Sequence, residues 1–166
     1  MPINSRRKGK TGEREVAKHL ERWWNQVEPG CKFVSTPLSG GFSTAQIRGA
    51  FNMAGDLMTT AKTFPFTVEV KHRERWELPN VLAGKRSPAW TWWLQCQKAA
   101  AEEKKIPMMW FRKNYGDWYM MLPERDYLRV VPDQSNITWM VAPKLPKADI
   151  GQPPVVFLAL EVVGDV

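Results

Sequence analysis

The stretch FTVEVKHRER, residues 66–75, has the period-2 pattern of a half-buried β-strand. Phe66, Val68 and Val70 face one side of that strand, and Glu69 and Lys71 face the other. An exposed Glu–Lys pair at a sheet edge is common and contributes little to stability. The same pair is also what half of an active site looks like, so the interpretation depends on the acids elsewhere in the chain.

The composition indicates one folded domain over residues 1–166. A chain of this length can bury a real core, and 43% hydrophobic residues with nine tryptophans argue against disorder. No apolar run approaches the roughly 20 residues that span a bilayer, and no signal-peptide segment is visible, so we expect a cytoplasmic protein. Cys31 and Cys96 fit no metal-ligand spacing, which predicts free thiols.

The net charge is +7, and the excess is concentrated near the N-terminus. The segment SRRKGK, residues 5–10, contains Arg6, Arg7, Lys8 and Lys10 and no acid. Such a basic arm suits a polyanionic partner, most often a nucleic acid, although a solvated mobile terminus is the simpler alternative. On the first interpretation the four cations contact phosphates, which positions a nucleic acid without reading its sequence.

Periodicity and capping signals predict two long helices. The first begins near Thr11 or Gly12, with Thr11 as N-cap, and ends at about Trp24. The second has Ser87 as N-cap and Pro88 in its first turn, and it extends to about Lys105.

Strand signals surround these helices. Strands are predicted at residues 32–36, 56–60, 63–71, 107–113, 117–122 and 155–163, with a short helix at 123–131. A Gly- and Ser-rich loop separates the first two strands. This order of elements predicts an α/β fold, in which a mixed central β-sheet is flanked by helices.

Two further acids accompany Glu69. Glu13 falls on the apolar stripe of the first helix, which suggests that it points inward. The simpler alternative is a solvated acid in the first turn that is stabilised by the helix dipole. Asp56 opens a strand, where a turn residue is the alternative. An Asp at a strand start, followed by Glu-x-Lys on a neighbouring strand, is typical of a metal-dependent phosphodiesterase. Lys71 would orient the attacking water or neutralise the charge that develops on the phosphate.

With only two histidines in the chain, a metal would have to sit on carboxylates, which favours Mg²⁺.

The segments AGDL (54–57) and VEVK (68–71) resemble the PD-(D/E)XK nuclease signature, with Asp56, Glu69 and Lys71 as its core. KGKTGERE, residues 8–15, is similar to the K-G-x-x-x-E-R-E opening of archaeal-type Holliday-junction resolvases. That resemblance implies a restriction-endonuclease-like fold and makes Glu13 the third metal ligand beside Asp56 and Glu69. It divides the chain into a basic N-terminal arm (1–12), a catalytic core (13–122) and a C-terminal extension (123–166).

Three more site residues follow from the resemblance. TPLSGG, residues 36–41, is similar to a Pro-x-Ser-Gly segment of these resolvases, which would place Ser39 near the scissile phosphate. Many members carry an arginine in the preceding strand, where this chain has Ser35 or Thr36, and Arg48 is the candidate to replace that DNA contact. Related nucleases often direct a helix glutamine at the site; Gln97 is the first candidate, with Gln95 as the lesser one.

The expected function is therefore a Mg²⁺-dependent endonuclease, with Mn²⁺ as an alternative cofactor, acting on four-way junctions or other branched DNA. Resolution of a junction needs two symmetric nicks, and a homodimer would supply the two active sites. A virus-encoded member of the family would work in the host cytoplasm. The alternatives are a nuclease of the same fold with a nicking or restriction-like target, and a non-catalytic basic nucleic-acid-binding module whose acids only balance charge.

Overall fold

The computed structural model describes residues 5–36, 51–130 and 140–163, and its order of elements is helix, four strands, two helices, two strands, helix, two strands, helix. The helices are α1 (Ser5–Trp24), α2 (Leu78–Leu82), α3 (Pro88–Glu103), α4 (Glu124–Val130) and α5 (Ala159–Val163). The strands are β1 (Phe33–Ser35), β2 (Asn52–Ala54), β3 (Leu57–Thr59), β4 (Phe66–His72), β5 (Ile106–Arg112), β6 (Tyr119–Pro123), β7 (Met140–Val141) and β8 (Pro154–Leu158).

The strands form two sheets. Five strands pair in the order β4-β5-β6-β8-β7, with β4 and β5 parallel and the other neighbours antiparallel. The parallel pair is joined through α3, because parallel neighbours need a crossover rather than a hairpin. The three-stranded antiparallel sheet β1-β3-β2 meets the edge strand β4 through a bridge between Gly55 and Val68. The predicted mixed α/β architecture is confirmed.

Alternate residues of the central strands build two cores. On β5, Met108 and Trp110 belong to the core that α1 and α5 cover, whereas Met109 and Phe111 belong to the core under α3. Successive strand residues point to opposite faces, so α1 and α3 lie on opposite sides of the large sheet. None of the helices in the described ranges is long and apolar enough to cross a lipid bilayer.

The first helix begins at Ser5, so the predicted start near Thr11 is wrong. Thr11 is not an N-cap, because its Oγ1 donates to the carbonyl of Arg7 at 3.0 Å, four residues earlier. A threonine inside a helix can bond in this way to the preceding turn. The cations of residues 6–10 are therefore carried on a helix and not on an extended arm.

The second long helix is confirmed, with Ser87 as N-cap accepting from the Ala89 N–H. The predicted late strand over 155–163 is half wrong, since the chain turns into α5 after Leu158. A continuous apolar run suits a buried strand and a buried helix equally, so periodicity alone does not separate them. The short elements β2, α2 and β7 were not predicted.

Candidate active site

Asp56 is placed at the edge of the large sheet by a tight turn. Gly55 has φ +72°, in the left-handed region that favours glycine. The Asp56 N–H then donates to the Val68 carbonyl at 2.9 Å, and Oδ2 of Asp56 accepts the Val70 N–H at 2.8 Å. An edge strand would otherwise leave such an N–H without a strand partner. Asp56 thus holds β4 by backbone and side chain together.

Glu69 and Lys71 lie on β4 beside Asp56, on the face opposite Phe66, Val68 and Val70. The Lys71 Nζ lies 2.5 Å from Glu69 Oε1, and each side chain is only 17% exposed. A solvated ion pair at a sheet edge would be far more open. The pair is therefore part of a recessed polar site and is not an exposed ion pair at the sheet edge.

The pKa of Asp56 is set by its burial and by the charged groups around it. Its pKa is raised from the ordinary 3.8 to about 7, first by burial and then by repulsion from Glu69, with a smaller repulsion from Glu13. The Val70 N–H and Lys71 lower the pKa, but they do not offset burial. The carboxylates around Asp56 therefore carry more negative charge than Lys71 compensates.

Glu13 is bound by groups at the junction of α1 and β1. Lys10 Nζ lies 2.7 Å from its carboxylate, and the Ser35 hydroxyl donates a short hydrogen bond to the same oxygen. Lys10 also donates to Ser35 Oγ at 3.0 Å and to the Thr36 carbonyl at 2.6 Å. The inward orientation of Glu13 agrees with the sequence. The participation of Lys10 and Ser35 was missed, although an i,i+3 spacing already allows Lys10 to reach Glu13.

The types of side chain at the candidate site suit a hard cation. In the part of the chain that the structure describes, no group of three or more His, Cys, Asp or Glu side chains is arranged to hold a metal ion. Mg²⁺ is commonly held by one or two carboxylates together with substrate phosphate and water. Asp56 and Glu69 supply two such carboxylates, and the raised Asp56 pKa marks a local excess of negative charge that a cation would relieve. The role of Glu13 as a third ligand stays a prediction.

The predicted DNA-binding residues occupy different surroundings. Arg6 and Arg7 are exposed on the first turn of α1, whereas Lys8 pairs with Glu74 at 2.7 Å. Lys10 belongs to the Glu13 cluster. Ser39 and Arg48 lie outside the described residues.

Both ends of the Gln97 side-chain amide are bound to the segment before β8, and its orienting role at the site stays a prediction. Its Nε2 donates to the Ile150 carbonyl at 2.7 Å, and its Oε1 accepts the Gln152 N–H at 2.7 Å. Gln95 is exposed on α3. The sequence pattern around Gln97 contained no signal for a partner more than 50 residues further along the chain.

Gly55→Ala should lower the free energy of unfolding by about 3 kcal/mol, because the left-handed φ is strained for alanine and a Cβ there would overlap the Val68 carbonyl oxygen. Gly30 has a similar φ of +83°, but a Cβ on Gly30 would meet no atom within 4 Å, so Gly30→Ala should cost only about 1 kcal/mol. Urea unfolding of both variants measures the difference. Equal losses would show that the contact with Val68 does not constrain the turn before Asp56.

A mixed sheet that carries Asp56, Glu69 and Lys71 at one edge, with helices on both faces, defines a PD-(D/E)XK-type nuclease core. The model of the family described as "Phage putative PDDEXK endonuclease" matches residues 4–146, and the chain belongs to this family. No curated protein and no solved structure matches the chain. The resemblance to the PD-(D/E)XK superfamily is thus confirmed, while the match does not extend to the Holliday-junction resolvase type.

Proposed function

We propose that this protein is a Mg²⁺-dependent endonuclease that cleaves phosphodiester bonds in branched DNA. The observation that carries the proposal is the recessed arrangement of Asp56, Glu69 and Lys71 at the edge of β4, with two carboxylates held beside one ammonium group. Family membership supports nuclease chemistry, and nucleases of this type generally use divalent metals such as Mg²⁺.

Each residue has a distinct task in this proposal. Asp56 and Glu69 hold the cation, and Mn²⁺ is the alternative ion. When bound, a divalent cation polarises the phosphate and lowers the pKa of water. Lys71, which lies beside Glu69, would stabilise the charge that develops on the phosphate. Lys10 and Ser35 hold the Glu13 carboxylate inward, from where it can join the site.

Branched DNA is favoured by the segment KGKTGERE, which is similar to the opening of Holliday-junction resolvases and whose Glu13 contributes to the raised pKa of Asp56. A homodimer would supply the two active sites that symmetric nicking requires. The second candidate is a nicking or restriction-like activity on linear duplex, because the family match does not specify the substrate structure.

The test compares a labelled four-way junction with linear duplex of the same sequence, each with Mg²⁺, with Mn²⁺ and with chelator. We expect metal-dependent cleavage of the junction at paired positions on opposite strands, and slower cleavage of the duplex. Equal cleavage of both DNAs would favour the second candidate. No cleavage in either metal, with DNA binding intact, would leave only a binding module.

A further inference from the structure

The exposed side of α1 bears a row of cations that ends at the candidate site. Lys10, Arg14 and Lys18 are four residues apart, so they lie on neighbouring positions of one helical face. With β1 they line a groove of about 640 Å³, whose other wall includes Phe33, Val34, Ser35 and Thr36. Arg14 and Lys18 are exposed, whereas Lys10 is partly buried at the end nearest Glu13.

The acids of α1 are engaged with partners other than Arg14 and Lys18. Glu13 binds Lys10 and Ser35, and Glu15 pairs with Arg112 at 2.8 Å. Glu21 pairs with Lys32 at 3.2 Å and accepts the Phe33 N–H at 2.9 Å. Within the described ranges no acid forms an ion pair with Arg14 or Lys18. Arg14 and Lys18 therefore present positive charge that no ion pair within the described ranges compensates.

One end of the groove is built from the residues that hold the site. Thr36 donates its N–H to the Asp56 carbonyl at 2.9 Å and its hydroxyl to the Gly55 carbonyl at 3.1 Å. Ser35 and Lys10 both contact Glu13. A strand whose scissile phosphate lies at Asp56 and Glu69 could therefore continue along this groove without leaving the protein surface.

We infer that Arg14 and Lys18 bind the phosphate backbone of DNA next to the cleavage position, an inference that rests on the proposed function. Lys18 lies eight residues after Lys10, a rise of about 12 Å along the helix, which matches roughly three to four nucleotides of one strand at about 3.4 Å each. Charge complementarity and continuity with the site both favour DNA as the occupant. These contacts position the backbone and do not read bases.

The test measures the salt dependence of DNA binding in chelator, so that no cleavage is needed. Arg14→Gln with Lys18→Gln should weaken binding to duplex and junction alike and reduce the slope of log K against log salt by about 1.8, since two fewer counterions are released. A matched control is Lys98→Gln with Lys104→Gln, which removes the same charge from exposed positions of α3 and its C-cap, across the sheet from α1. The control should keep the parent slope.

A charge-preserving pair, Arg14→Lys with Lys18→Arg, should also keep the parent slope and guards against an effect of misfolding. A parent slope in the Gln double variant, an equal loss in the α3 control, or no DNA binding by the parent would each overturn the inference. Reduced binding of the double variant to anionic lipid vesicles, with the DNA slope unchanged, would assign the row to a membrane surface instead. Cleavage assays in Mg²⁺ report separately on the proposed function, so the two can fail independently.

Discussion

Asp56→Asn should lower the rate of DNA cleavage at least about a hundredfold, which is the scale of losing a major electrostatic stabiliser. The change removes a negative charge and a cation ligand, while the amide oxygen can still accept the Val70 N–H. DNA binding in chelator should be unchanged or tighter, because a carboxylate that faces phosphate is repulsive. Single-turnover cleavage and metal-free binding measure the two effects on the same protein.

Lys71→Ala should abolish cleavage by a different route, since it removes the ammonium group beside Glu69 and leaves both carboxylates in place. A matched control for Asp56→Asn is Asp117→Asn, because Asp117 is an exposed acid in the connection between β5 and β6. The Asp117→Asn protein should cut DNA at the parent rate. An Asp56→Asn protein that cuts as fast as this control would refute the nuclease site built on Asp56, Glu69 and Lys71.

The second large effect is on stability, in the absence of divalent cations. The Asp56 pKa is about 7 in the folded protein and 3.8 as its ordinary value, so between these pH values the folded state binds the proton more tightly than the unfolded state. The free energy of unfolding must then fall as pH rises from about 4 to about 7. The difference between the two pKa values corresponds to a loss of stability on the order of 4 kcal/mol.

Urea unfolding in chelator at several pH values, compared between the parent and Asp56→Asn, isolates this contribution. The comparison is needed because Glu28 and Glu74 have lowered pKa values, and their contributions to stability are lost in the opposite direction, as pH falls. The Asn variant should lack the loss and be the more stable protein at pH 7. If the stability of the two proteins changed with pH in parallel, burial and Glu69 would not raise the pKa of Asp56.

Local sequence was sufficient for the elements with strong periodicity or capping signals. The alternation in residues 66–72 predicted β4 and the faces of its side chains, and Ser87-Pro88 predicted the start of α3. It was insufficient for β2 and β7, which have three and two residues and exist only because neighbouring strands pair with them. Strand pairing between distant segments leaves no periodic signal in so short a stretch.

For the candidate site, too, the sequence predicted some features and tertiary structure decided the others. Asp56, Glu69 and Lys71 were found from the sequence because side-chain direction on a strand follows from its period of two. The partners of the side chains were decided by tertiary structure: Lys10 and Ser35 for Glu13, the Val70 N–H for Asp56, and residues 150–152 for Gln97. A polar group that is buried must find a partner wherever the fold supplies one. The sequence by itself determined which residues could do the chemistry, and only the packing of distant segments decided which of them meet.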